Sequence, residues 1–263
     1  MQHTIGDVVS FLDERFHPEY KEDYDNAGFL LGDRNVECRG VLVALDLTEA
    51  VADEAVEQGL NLIVTHHPFI FSGLKRITNG SETGRTVMNL IRNGIAVYAA
   101  HTNLDNLPDG VNGILAERLS MRNCRILKPF ETDNNLGAGM VGELEAPMAA
   151  DRFLAGVKEL LGLPVLRCSA HEAARRVERV AICGGSGAFL IGDALAARAD
   201  IYMTADLKYH DFQRTDGRMV LVDIGHYESE QFAKEIIYRA ISEKFSTFAC
   251  RISERQKGIV SYI

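Results

Sequence analysis

The sequence predicts an α/β protein of two lobes, each with a mainly parallel or mixed sheet covered by helices. Short apolar runs alternate with amphipathic segments along most of the 263 residues, and this alternation is typical of parallel sheets covered by helices. The alternation weakens near residues 125–135 and resumes at Val177, which indicates a second lobe. The 46% hydrophobic and 25% charged composition is ordinary for a globular chain with a substantial core.

The first lobe is predicted to hold an N-terminal helix and then three strands, each followed by a helix. The first helix begins at Thr4 and ends before Pro18, because apolar residues recur at helical spacing between them. Strands are predicted at 40–48, 60–65 and 94–100, and the helices after them at 50–56, 82–93 and 110–119.

The second lobe starts less regularly and then returns to the same alternation. Residues 136–146 are predicted to form an antiparallel or edge strand, and residues 148–162 a helix. Further strands are predicted at 163–169, 177–183, 200–204, 219–224 and 246–252, and further helices at 187–199, 206–214 and 226–245. Residues 1–128 are therefore assigned to the first lobe and 129–245 to the second, with 246–263 as a candidate to return to the first.

Composition excludes several classes of protein. The net charge is −9 and no run of lysine and arginine occurs, which argues against a nucleic-acid partner. No apolar run reaches the roughly 18 residues that a membrane-spanning helix needs, and the N-terminus lacks the features of a signal peptide. Five scattered cysteines without a C-x-x-C pair suit a reducing cytoplasm and give no thiolate zinc site.

Histidines and carboxylates gather directly after the predicted strands, where ligands bind in open α/β sheets. His66 and His67 follow the strand 60–65, and the other residues at strand ends are His101, Asp105, Asp206, His210, Asp211, His226, Glu228 and Glu230. His226 and Glu230 are four residues apart at the start of a helix, so they share one face and can reach the same ion. Pro68 favours an extended backbone at His67, which allows both neighbouring rings to turn into one cavity.

A typical catalytic zinc site has three protein ligands. The candidates here number five, three imidazoles and two carboxylates: His66, His67, His226, Asp105 and Glu230. A set of five suits two divalent ions bridged by a carboxylate, which Asp105 or Glu230 would provide. Nitrogen and oxygen ligands without sulfur suit Zn, Fe, Mn, Co or Ni, and we favour Zn or Fe. His101 has two readings, as a ligand or as a residue that orients a ligand or transfers a proton.

Each motif also has a simpler structural explanation. The two adjacent histidines alone are explained equally well as a hydrogen-bonded loop pair, and His226 with Glu230 alone as a surface helix pair. His210 suits an interface or a core-capping role as well as a site role. The glycine-rich segment Gly184–Gly187 follows a strand and offers amides to a phosphate, although it matches neither established phosphate-loop spacing and a tight turn explains it as well.

Six separated motifs together resemble the NIF3 family, whose bacterial members are often called GTP cyclohydrolase 1 type 2 homologues. They are YDNAGFLLG, VTHHP, AHTNLD, GGSG, TADLKYHDFQ and GHYESE, in this order and across nearly the whole chain. The resemblance implies a two-lobed α/β subunit, a dinuclear metal centre between the lobes and a toroidal homohexamer. The resemblance also implies that the metal ligands are His66, His67, Asp105, His226 and Glu230.

The resemblance also implies a reaction. A cyclohydrolase would use two ions to activate a water that opens a purine ring with release of formate. We therefore expect a dinuclear metal-dependent hydrolase acting on a small molecule such as a purine nucleotide, with His101 as the proton-transfer residue. The alternative is a non-catalytic metal-binding protein whose hexameric ring serves regulation or interaction.

Overall fold

The computed structural model describes residues 2–263, which divide into two compact units. Unit 1 runs to Leu104 and resumes with Ala233–Lys257, and unit 2 comprises Asp105–Phe232 and Gly258–Ile263. These bounds differ from the lobes 1–128 and 129–245 expected from the sequence. Residues 105–128 belong to unit 2 because the strand Met121–Pro129 pairs with the strand Gly137–Ala149 of the second sheet.

Unit 1 is built on a five-stranded sheet in the order β1-β4-β3-β2-β11. Four of its strands are parallel, and β1 runs antiparallel to β4. Its strands are β1 (Gly28–Leu31), β2 (Gly40–Ala44), β3 (Leu62–Thr65), β4 (Ala96–Ala99) and β11 (Ala249–Ile252). Its helices are α1 (Ile5–Phe16), α2 (Glu49–Glu57), α3 (Glu82–Arg92) and α9 (Ala233–Lys244), with α4 (Thr102–Asp105) at the passage to unit 2.

Local sequence explains where the helices of unit 1 begin. Thr4 accepts a hydrogen bond from the amide of Asp7, whose carboxylate accepts one from the amide of Thr4, so a reciprocal capping box starts α1. Thr48 and Ser81 cap α2 and α3 in the same way through their hydroxyls. The central strands β2, β3 and β4 are buried along their whole length, as their continuous apolar runs require.

Unit 2 is built on a six-stranded mixed sheet in the order β5-β6-β8-β9-β10-β7. The neighbours β8, β9 and β10 are parallel, and the other pairs are antiparallel. Its strands are β5 (Met121–Pro129), β6 (Gly137–Ala149), β7 (Arg167–Cys168), β8 (Arg176–Ser186), β9 (Ile201–Ala205) and β10 (Val220–Asp223). Its helices are α5 (Val111–Arg118), α6 (Ala150–Leu161), α7 (Ile191–Ala196) and α8 (His226–Glu230).

The predicted α/β class is confirmed, and several elements differ from the expectation. The strands β1 and β5 were not predicted. The segment expected as an antiparallel or edge strand is antiparallel, but it lies inside the sheet between β5 and β8. The helix expected at 206–214 is a 3₁₀ helix, Tyr209–Thr215. The helix expected at 226–245 is divided into α8 and α9, and the chain passes from unit 2 to unit 1 at the same place, after Phe232.

Both sheets place loops at the carboxyl ends of parallel strands. In unit 1 these loops follow β2, β3 and β4, and in unit 2 they follow β8, β9 and β10. Ligand-binding residues collect at such ends because neighbouring loops converge there. Among residues 2–263 there is no helix with the length and apolar character needed to span a membrane.

Candidate metal centre

Three histidines converge at the carboxyl ends of β3 and β4 in unit 1. The ligand nitrogens that His66, His67 and His101 can offer all lie within 4.8 Å of one another. The amides of His66 and His67 donate to the carbonyls of Ala44 and Leu45, so the backbone pairing of β3 with β2 continues past the end of the strand. This continued pairing fixes both histidines before the loop departs.

Each of these imidazoles is oriented through its Nδ1 atom. His66 is fully buried, and its Nδ1 lies 2.7 Å from the carbonyl oxygen of Ala100. A carbonyl only accepts, so Nδ1 carries the proton and Nε2 keeps the lone pair that a metal requires. His67 Nδ1 lies 2.6 Å from Oδ1 of Asp46, which fixes the same tautomer.

His101 is held in the same manner by Asp25. Its Nδ1 lies 2.8 Å from Oδ1 of Asp25, and Thr102 binds the other carboxylate oxygen through its amide and hydroxyl. Burial opposes ionisation of Asp25, but the hydrogen bonds from His101 and Thr102 outweigh it and lower its pKa to about 2. Asp25 is therefore a fixed anion that orients His101.

A second group of candidate ligands lies in unit 2. Glu230 offers a carboxylate oxygen within 4.8 Å of a ligand atom of both Asp105 and His226. His226 and Glu230 are four residues apart on α8, and His226 Nε2 lies 2.9 Å from Glu230 Oε2. Asp105 is held by the side-chain amide of Asn112, which donates to its backbone carbonyl at 3.2 Å.

His226 has carboxylates on both sides of its ring. Its Nδ1 lies 2.8 Å from Oδ2 of Asp206, which follows β9. The hydrogen bond with Glu230 is the largest influence and raises the pKa of His226, burial opposes this, and Asp206 adds to it, giving a value of about 9. With its Nδ1 anchored by Asp206, His226 offers Nε2 beside a carboxylate oxygen of Glu230, and this nitrogen and oxygen pair suits a divalent cation.

The glycine-rich segment serves the packing around Glu230. Residues 184–186 are the end of β8, not a free strand-to-helix loop. The amide of Gly184 donates to Asn112 and that of Gly185 to Ser229, so both amides that were candidates for binding a phosphate already have partners. Gly185 has a φ of +62°, and a Cβ there would lie 2.0 Å from Oε1 of Glu230. Only glycine lets this carboxylate approach so closely.

His210, which the sequence offered for a site role, has no part in these groups, and neither does the thiol of Cys183. His210 is exposed in the 3₁₀ helix, where its Nδ1 lies 3.4 Å from Oε1 of Gln213. Cys183 is buried in unit 2, and its burial raises the pKa of its thiol far above the ordinary value.

Sequence reasoning placed Asp206 among the strand-end residues, but it missed Asp46 and Asp25 and predicted for none of the three that it orients an imidazole. Asp46 comes two residues after β2, much as Asp206 comes one residue after β9, so the rule that identified Asp206 and the histidines also applies to Asp46. No role was predicted for Asp25, which lies in the motif YDNAGFLLG. Its contact with His101 joins positions 76 residues apart in the chain, and no local pattern indicates it.

Comparison with known proteins gives a consistent result across the chain. A family model described as Duf34/NIF3 (NGG1p interacting factor 3) matches residues 3–257. A Clostridium perfringens protein named GTP cyclohydrolase 1 type 2 homolog is 35% identical over 229 residues, which cover 86% of each chain. A crystal structure of a Staphylococcus aureus hypothetical protein has a TM-score of 0.91 and 30% identity, covering 100% of both chains.

A Bacillus cereus protein related to NIF3 shares the fold, with a TM-score of 0.92 and 24% identity, covering 100% of this chain and 99% of that one. The family model spans both units and includes every candidate ligand described above. The chain belongs to the Duf34/NIF3 family.

Proposed function

We propose that this protein is a dinuclear metal-dependent hydrolase with His66, His67, Asp105, His226 and Glu230 as its metal ligands. The observation that carries the proposal is the common orientation of the imidazoles. The Nδ1 atoms of His66, His67 and His226 are held by a carbonyl or a carboxylate. Such partners fix the tautomer and raise the basicity of the remaining nitrogen, as in established metal sites.

The donor set favours Zn or Fe, with Mn, Co or Ni as further candidates. A divalent ion held by these residues would lower the pKa of a water, which is the chemistry that hydrolysis near neutral pH requires. His101 is proposed as the proton-transfer residue, because Asp25 anchors its Nδ1 and directs its Nε2 away from that anchor.

A purine nucleotide is the proposed substrate. In the proposed reaction one water adds to a ring carbon and breaks its bond to one ring nitrogen, and a second water breaks the bond to the other nitrogen and releases that carbon as formate. The name of the Clostridium perfringens relative supports this choice. We extend the proposal to a cytoplasmic homohexamer, as the sequence resemblance implies. All five cysteines are free thiols, which fits a reducing compartment.

Metal content and turnover, measured on the same preparations, test the proposal. Protein purified without chelator is expected to hold about two ions per chain, and His66→Ala and Glu230→Ala are expected to lose them. Reconstituted protein should release formate from GTP, and Asp105→Ala should not. His210→Ala is the matched control, since His210 is an exposed histidine outside both ligand groups.

Two other outcomes would redirect the proposal. Tight metal binding with no turnover above the Asp105→Ala background, across nucleotides and phosphoesters, would favour the non-catalytic regulatory or interaction protein. Failure to bind metal after reconstitution would remove the basis of both readings. Light scattering of the same samples measures the mass of the assembly and tests the hexamer.

A further inference from the structure

Two aromatic side chains lie exposed beside His101 in unit 1. Tyr24 is 65% exposed and Phe71 is 50% exposed. Their ring centroids are 6.4 Å apart with planes inclined by 40°, and the ring of Phe71 lies 6.3 Å from that of His101 at 80°. Large rings left in solvent beside convergent polar groups are typical of a ligand-binding surface.

The segments that carry these two rings are fixed to one another. The side-chain amide of Asn26, two residues after Tyr24, donates to the carbonyl of Ile70, the residue before Phe71, at 2.5 Å. Asp25, the neighbour of Tyr24, is buried and bound to His101 and Thr102. The pair is therefore preorganised before any ligand arrives, which reduces the entropy that binding must overcome.

We propose that Tyr24 and Phe71 form a stacking platform for a planar heteroaromatic ring, and that this platform selects the substrate. The inference rests on the proposed function and names the two residues that would hold the base of its substrate. Stacking on aromatic side chains accepts any planar base, because every base presents a π-face. A ring stacked on Phe71 lies next to His101, the proposed proton-transfer residue.

Charge on the same segment fits a phosphorylated ligand. Residues 71–80 are all exposed and include Lys75 and Arg76, which are cations suited to phosphate oxygens. Asp23, next to Tyr24, is an exposed acidic residue that limits this attraction. We therefore expect the ring to provide the larger share of the affinity and the phosphate the smaller share.

The absence of tryptophan from the chain makes a direct test possible. Tyr24→Trp introduces a single tryptophan whose fluorescence reports stacking, with free tryptophan used to correct for light absorbed by the nucleotide. The metal-containing protein is titrated with GMP and, separately, with ribose 5-phosphate, which lacks the ring. Tyr209→Trp is the matched control, because Tyr209 is a 76% exposed aromatic in unit 2.

Saturable quenching by GMP in Tyr24→Trp, with none by ribose 5-phosphate and none in Tyr209→Trp, is the expected result. Adding Phe71→Ala should weaken GMP binding by about 10-fold or more, and Phe71→Tyr should preserve it. Unchanged GMP affinity in the Phe71→Ala protein would overturn the platform. So would a change of assembly mass in that variant without loss of affinity, which would assign Phe71 to a subunit interface.

The titration separates this inference from the proposed function. If the protein binds GMP through Phe71 but releases no formate, the stacking platform is supported and the proposed hydrolase activity is contradicted. If the protein hydrolyses GTP and the Phe71→Ala variant has the same KM as the wild type, the hydrolase activity is supported and the stacking platform is contradicted.

Discussion

Gln256 holds the carboxylate of Asp46 in place through a hydrogen bond of 3.2 Å from its Nε2 to Oδ2. The other oxygen of Asp46 lies 2.6 Å from Nδ1 of His67, and Oε1 of Gln256 accepts from the amide of Leu45. A residue close to the C-terminus therefore sets the orientation of a candidate metal ligand after β3. Both partners of this contact are in unit 1.

Gln256→Leu is expected to weaken metal binding by up to about 10-fold, because Asp46 is then less well fixed against His67. The free energy of unfolding should also fall by about 1–3 kcal/mol, since the buried amide of Leu45 loses its acceptor. Metal titration of chelator-treated protein and denaturant unfolding measure the two effects. Gln213→Leu, at an exposed site, should change neither, and equal metal affinity in both variants would contradict the role of Gln256.

Gly185→Ala is expected to remove metal while leaving most of the fold intact. Its Cβ would lie 2.0 Å from Oε1 of Glu230, so the carboxylate must move. The φ of +62° at this position adds roughly 1–2 kcal/mol of backbone strain for alanine.

The control for this change is Gly192→Ala in α7, where a Cβ meets no atom within 4 Å. That variant should keep its metal and gain up to about 1 kcal/mol of stability. Elemental analysis with thermal unfolding distinguishes the two glycines. Full metal content in Gly185→Ala would show that Glu230 is not a ligand.

Two substitutions of Asp206 are expected to distinguish the effect of its charge on metal binding by His226 from the effect of its hydrogen bond. Its φ of +57° is one that asparagine also tolerates, whereas alanine is strained there. Asp206→Asn should keep an acceptor for Nδ1 of His226 and lose part of the metal affinity. Asp206→Ala should lose about 10–100-fold. Calorimetric metal titration checks the ranking, and equal affinities for aspartate, asparagine and alanine would exclude this orienting role.

Because of Cys38, the free energy of unfolding is expected to fall as the pH rises above about 9. Burial raises the pKa of its thiol from 9.0 to about 11, so the folded state holds a proton that the unfolded state releases above 9. The stabilisation that the buried, protonated thiol gives the folded state is complete below about pH 9. It then decreases by about 1.4 kcal/mol per pH unit up to about pH 11. The stability of the wild type relative to Cys38→Ala should therefore fall across this window.

Denaturant unfolding of both proteins as a function of pH measures this difference. It should stay constant between about pH 6 and about pH 8, where the thiol is protonated in both states. A difference that stays constant up to about pH 11 would show that the thiol ionises equally in the two states.

The parts of the fold and site that could be predicted are those that depend on local patterns. Buried strands such as β2 and β3 show as apolar runs, and the histidines after them follow from the geometry of parallel sheets. The strand β1 was not predicted because it has only four residues, lies at a sheet edge and is surrounded by glycines and turn residues. The strand β5 was not predicted because its exposed residues and irregular register with β6 hide the alternation.

The remainder depends on contacts that the chain makes over long distances. Gln256 and Asp46 are 210 positions apart, and His101 and Asp25 are 76 apart. Such pairs are specified by how the sheets assemble, and no window of sequence contains both members. The division of the expected helix 226–245 coincides with the change of unit after Phe232, and no glycine or proline in the sequence marks it.

The position of β11 beside β2 has a consequence for synthesis on the ribosome. Because β11 completes the sheet of unit 1 but follows all the strands of the other sheet in the chain, a nascent chain presents β2 with an open edge while 105–232 emerge. Unpaired edges of this kind promote aggregation. Unit 1 therefore reaches its final pairing only late in translation, and the segment between its two halves has the opportunity to fold first.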